Sequence, residues 1–140
     1  MKRDLSQDLQ QIQTHLGNGR FTAGITLCRE VLTYAPSDPN ALYLLGLGAA
    51  QLGDATTTRE AFYAAWQITP ERVDLLINFG NFLRETGEPL KALPLLEKAS
   101  VLSPQMPGVW KALAVTQFKM NRFEVALVSA EKLVGLAPQD

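Results

Sequence analysis

The chain has 140 residues, 46% of them hydrophobic, a single cysteine and a formal net charge of −1. That length gives one domain spanning residues 1–140, and near-neutral charge with a pI of about 5.8 leaves no electrostatic footprint for nucleic acid or an anionic membrane surface. The lone Cys28 excludes an internal disulfide and a multi-thiolate metal site.

Basic Met1-Lys2-Arg3 is followed by polar residues from Asp4 to Gln13 instead of an apolar signal core, and no run nears the roughly 18 apolar residues of a membrane span, which reads as a cytoplasmic chain. Leu5 to Leu16 has Leu5, Leu9, Ile12 and Leu16 at helical spacing, but Gln7, Gln10, Gln11 and Gln13 make it a solvated lid. A second helix runs from Phe21 to Ala35 with Ile25, Cys28, Val31 and Leu32 on its apolar face. Asp38 caps a third, Pro39 to Leu52, nearly all small and apolar; Asp54 caps a fourth, Ala55 to Ile68. Val73 to Pro104 holds two more helices parted by Thr86-Gly87-Glu88-Pro89, with Pro94 inside the second predicting a kink and not a break. Trp110 to Met120 and Phe123 to Leu136 complete the series.

Pro36, Pro70, Pro104 and Pro138 lie 34 residues apart, and Gly19, Gly53, Gly87 and Asn121 each fall 17 residues before one of them. Val31, Ala65, Ala99 and Leu133 precede the prolines by five residues, and Tyr34, Ile68, Leu102 and Leu136 by two; both sets are expected to face the core. This period marks a helical solenoid with repeats at about 5–38, 39–72, 73–106 and 107–140.

The pattern resembles the tetratricopeptide repeat family. The large residue of the first helix is matched by Leu42, Leu76 and Trp110, and the Leu-Gly pair by Leu45-Gly46, Phe79-Gly80 and Leu113-Ala114. Ala92 and Ala126 match the small residue of the second helix, Phe62 its aromatic, and Ala65 and Ala99 the alanine beyond it. The first repeat departs, with Asp8, Gln11-Ile12 and Gly24 at the matching positions. The resemblance implies an all-α, right-handed α-solenoid of antiparallel helix pairs that binds protein or peptide along its concave side.

The chemistry-bearing candidates have simpler readings. Gly46 and Gly48 form G-x-G without a preceding strand, so Gly46 is a packing glycine. His15 and Cys28 read as packed side chains, and no catalytic, cofactor-binding or metal residue is assigned. What remains is the other face of each first helix. It supplies a partner groove of Tyr43, Leu44, Leu47 and Gln51, then Ile77, Asn78, Asn81 and Arg84, then Lys111 and Val115. Asn78 and Asn81 can bond a peptide backbone, and exposed Tyr43 and Leu47 can hold an apolar side chain. The carboxylate clamp of chaperone-binding family members is missing: of its five places only Asn78 matches, with Tyr43, Leu47, Gly108 and Ala112 at the others.

The expected function is therefore a non-catalytic protein-interaction module. One alternative is the recruiting N-terminal segment of a larger sulfo- or glycosyltransferase, to which NFGNFLRETG is similar; the other is a self-assembling scaffold. Leu127, Val128, Val134 and Leu136 on the last helix leave an apolar strip, to be covered either by following repeats of a longer chain or by a second copy, and the expectation is a weak homodimer through Phe123 to Leu136.

Overall fold

The computed structural model describes residues 3–137, so Pro138, the fourth periodic proline, lies outside the described residues. Within them are eight α-helices and no strand: α1 (Leu5–Gly17), α2 (Phe21–Tyr34), α3 (Pro39–Gln51), α4 (Ala55–Ile68), α5 (Val73–Glu85), α6 (Pro89–Leu102), α7 (Pro107–Lys119) and α8 (Phe123–Leu136). They form two compact units of two hairpins each, Met1–Pro70 and Glu71–Asp140.

The hairpin turns explain the glycine period. Gly19, Gly53 and Gly87 have φ of +75°, +75° and +86°, and Asn121 has +60°. At each, the N–H of the following residue donates back to the carbonyl five positions earlier: Arg20 to His15 (2.8 Å), Asp54 to Ala49 (2.9 Å), Glu88 to Leu83 (2.7 Å) and Arg122 to Gln117 (2.8 Å). These are four Schellman closures, which need a left-handed residue just beyond the helix. Glycine adopts that conformation without strain and asparagine tolerates it.

Helix starts differ along the chain. Asp4, Asp38 and Asp54 each accept a hydrogen bond from a first-turn backbone N–H, that of Gln7, Ala41 and Thr57 respectively. Pro39, Pro89 and Pro107 occupy first helical positions, where a missing N–H costs nothing. α7 thus starts at Pro107, three residues before the expected Trp110, because Pro107 fits that place. α6 runs unbroken past Pro94, whose ring sits on the exposed side.

In the first unit Ile12, Cys28, Val31, Ala41, Leu44, Leu45 and Ala61 make one buried cluster. In the second, Leu75, Leu76, Phe79, Leu83, Leu96, Ala99, Val109 and Leu113 are buried. In the α3–α4 and α5–α6 hairpins a glycine on one helix receives a large side chain from the other. A Cβ on Gly46 would lie 2.3 Å from the Phe62 ring, and one on Gly80 would lie 2.7 Å from Leu96, so both glycines are there for close approach. α3 packs on α2 and α1, and α7 on α6 and α5.

The expected proline-minus-two core positions are corrected. Tyr34, Ile68 and Leu102 are exposed and Leu136 is half-buried, because the helix has by then turned those residues past its packed face; Val31, Ala65 and Ala99, three residues earlier, are fully buried. Tyr34 has a separate task. Its hydroxyl donates to Asp8 Oδ2 at 2.5 Å, Arg3 meets the same carboxylate at 3.0 Å and Glu30 at 3.5 Å, and the guanidinium lies 5.3 Å from the Tyr34 ring centroid. Asp8 stands where the other repeats carry Leu42, Leu76 and Trp110, so the first hairpin replaces an apolar contact with this polar cluster.

Candidate functional site

Structure and sequence agree least on α3. Tyr43 and Leu44, expected in the open groove, are each only 7% exposed, and the Tyr43 ring stacks on Phe62 at 6.1 Å. α3 has almost no polar residues, so burial on several sides takes in the face assigned to the groove. Leu47 is half-buried and, with Leu16, Gly17, Phe21 and exposed Gln51, lines a hollow of about 370 Å³.

α5 is amphipathic, and its outer face is better defined. Leu75, Leu76, Phe79, Gly80, Phe82 and Leu83 are buried, which leaves Ile77, Asn78, Asn81 and Arg84 half-buried along one side. Arg84 Nη1 donates to Asn81 Oδ1 at 2.7 Å and Nη2 lies 3.4 Å from Glu85 Oε1. The bond takes one lone pair of the Asn81 carbonyl and orients the amide, leaving its N–H donors and a second lone pair for a partner. On α7, packed beside α5, Lys111 and Val115 are exposed, whereas Ala112 is buried. The face therefore combines amide donors, two cationic side chains and small apolar patches, suited to an extended polypeptide.

A second surface lies between α7 and α8. Ala114, Val115, Phe118, Phe123, Ala126, Leu127 and Ala130 line a hollow of about 440 Å³ with no charged side chain in its wall. Phe118 and Phe123 meet edge to face at 5.3 Å, and both are largely exposed. Of the four residues assigned to an apolar strip, Leu127, Val128 and Val134 are exposed and Leu136 is half-buried. Sequence reasoning missed Phe118 because it considered α8 alone, from Phe123 onward, whereas the hollow needs both helices. The repeat register carries the signal, since Phe118 stands where the earlier repeats have Leu16, Ala50 and Arg84.

The other candidates are packed. Cys28 is buried, and desolvation pushes its thiol up to about 12, away from reactivity. His15 is half-buried at the end of α1 with its Nδ1 covered. Among the described residues no group of three or more His, Cys, Asp or Glu is placed to hold a metal, and no helix is long and apolar enough to cross a membrane.

Comparison with known proteins agrees with the period and the packing. Residues 9–72 match the family model described as tetratricopeptide repeat. That stretch, a little under half of the chain, carries tetratricopeptide repeats. The chain is 34% identical over 74 residues to the TPR repeat-containing protein YpiA of Bacillus subtilis (strain 168); the match takes in 53% of this chain and 18% of that relative's length. The fold is shared with MamA structures. A fragment of MamA from Desulfovibrio magneticus RS-1, residue 41 to its end, superposes with a TM-score of 0.89 at 21% identity, over 100% of this chain and 79% of that one. Another MamA crystal structure gives 0.87 at 16% identity, over 95% and 78%. The AMB-1 MamA gives 0.80 at 22% identity, over 96% and 79%. This confirms the expected all-α repeat fold.

Proposed function

We propose that this tetratricopeptide-repeat chain is a non-catalytic protein-interaction module that binds an extended polypeptide segment against the α5 face. The observation that carries the reading is the row Ile77, Asn78, Asn81 and Arg84, kept half-open along one side of a helix whose other side is fully packed. Amide side chains bond a backbone regardless of its sequence, and Arg84 with Lys111 of α7 favours segments carrying acidic residues. The same proposal places the chain in the cytoplasm, where the buried Cys28 thiol stays reduced.

The test is selection of binders from a displayed library of random peptides, followed by titration of the enriched sequences. Asn78→Ala with Asn81→Ala should weaken these peptides about tenfold, the loss of one or two hydrogen bonds, with the helical content unchanged. Enriched peptides that bind the double variant as tightly as the parent would remove the α5 face from consideration.

A further inference from the structure

The internal stacking of each unit shows what kind of surface the α7–α8 hollow is. In the first unit α3 sits in the groove between α1 and α2, and a Cβ on its Gly48 would come within 3.0 Å of Ile25 and 3.1 Å of Leu16. One unit further on, α7 packs against α5 and α6, and Leu93 of α6 is only 6% exposed. By the 34-residue register, Leu16 corresponds to Phe118, and both Ile25 and Leu93 correspond to Leu127. Phe118 is 65% exposed and Leu127 60%. The hollow is thus a helix-docking groove of the kind occupied twice within the chain.

Head-to-tail stacking of another copy does not fill it. Such stacking would bring α1 of that copy into the groove. The positions buried in α3, Ala41, Leu44, Leu45 and Gly48, and in α7, Val109, Ala112, Leu113 and Thr116, are Gln7, Gln10, Gln11 and Thr14 in α1, all exposed. Seating four polar side chains against Phe118 and Leu127 would strand their hydrogen-bonding groups. α1 is built to end a stack.

α8 itself has the required surface. Phe123, Leu127, Ala130 and Val134 lie at helical spacing on one stripe, with the small Ala130 near its middle, and Phe123 and Val134 are 55% and 72% exposed. We propose that two copies associate through a two-fold axis near Ala130, with each α8 laid antiparallel in the other copy's α7–α8 groove and Leu127 opposite Val134 of the second copy. A groove without charge complements only another apolar surface, and this stripe is present at the same concentration as the groove. Phe118 and Phe123, at about 150–250 Å² for a whole aromatic side chain, together with Val115, Leu127 and Val134, give about 500 Å² per copy. The total near 1,000 Å² is at the lower limit for a specific interface and makes the dimer weak, forming at roughly 0.1 mM. Glu124 and Glu131 flank the stripe, and the two-fold sets like flanks against each other, so added salt strengthens the association. This surface shares Val115 with the α5 face but is centred on α8, and its test needs no foreign partner.

Sedimentation velocity of the full chain over about a hundredfold in concentration should show a reversible monomer–dimer transition that moves to lower concentration in high salt. Leu127→Glu with Val134→Glu should leave monomer throughout, with an unchanged circular dichroism spectrum because both positions are solvent-facing. Gln10→Glu with Gln11→Glu should leave the dimer intact. Ala130→Cys should give a disulfide-linked dimer under oxidation, while the parent, its only thiol buried, should not. Monomer at every concentration, growth beyond a dimer, or loss of association in the α1 variant would each overturn the proposal.

Discussion

Replacing Gly46 with alanine adds a single methyl group, and the structure fixes where it goes. The new Cβ would lie 2.3 and 2.4 Å from Cδ1 and Cε1 of Phe62. Relieving the overlap requires moving an aromatic ring by about 1 Å, against a normal carbon–carbon separation of about 3.5–4 Å. The ring is not a free side-chain end: Phe62 is fully buried and stacked against Tyr43, itself buried. Overpacking of this kind costs about 3 kcal/mol, and the better helix propensity of alanine returns about 1 kcal/mol, leaving a net loss of about 2 kcal/mol. For a chain of this size the loss lowers the melting temperature by roughly 8 °C. Gly108→Ala is the control, because it adds the same methyl in the first turn of α7 with nothing within 4 Å, and should hold or slightly raise the melting temperature. Thermal unfolding followed by circular dichroism reads both. Phe62→Leu in the Gly46→Ala background should recover part of the loss, since a leucine already faces Gly80 in the next repeat. If Gly46→Ala melts at or above the parent, α3 and α4 do not pack as described.

Two further outcomes follow from the turns and the polar cluster. Gly53→Ala forces a Cβ into a left-handed turn and should cost about 1–2 kcal/mol, whereas Asn121→Gly, at φ +60°, should gain a few tenths of a kcal/mol; chemical denaturation measures both, and equal effects would refute the assignment. The hydrogen bond from Tyr34, then that from Arg3, holds the Asp8 carboxyl below its usual range, while the bond to Asp8 raises the Tyr34 hydroxyl. Asp8 therefore contributes stability that is complete above its ordinary value near ~4 and is lost as pH falls through the lower folded value. Tyr34 contributes below its ordinary value near ~10 and loses that contribution as pH rises through the higher folded one. Tyr34→Phe should flatten both limbs of the stability–pH curve, and an unchanged curve would dissociate the cluster from stability.

The repeat fold was legible because its determinants are local and periodic. A left-handed turn residue every 34 positions and proline at first helical positions are requirements of backbone geometry, visible without tertiary information. The site was less legible. On α5 hydrophobic periodicity separates a packed side from an open one, and Asn78 and Asn81 fall on the open side, though half-buried and not fully exposed. On α3 no polar side exists to mark solvent, so the spacing that assigned Tyr43 and Leu44 to a groove had nothing to anchor its phase. Asp8 looked like a defect in the first repeat. Its partner Tyr34 lies 26 residues away, a distance at which no local rule links a carboxylate to a phenol.

The matching of side-chain size across a hairpin, glycine against a large residue in α3–α4 and α5–α6, has a consequence for how such a chain can change. Gly46 faces Phe62 and Gly80 faces Leu96, and the same register positions hold Ile12 with Cys28 in the first hairpin and Ala114 with Ala130 in the last. Bulk moves from one helix to the other while each pair is kept compatible, so the heritable unit is the hairpin and not the helix. Exchanging α3 for α1 while keeping α4 would drive an isoleucine into Phe62, whereas exchanging whole hairpins would leave every such pair intact. The last pair combines two of the smallest side chains, and both line the open hollow between α7 and α8. Volume given up there within the chain is volume available to whatever docks against it.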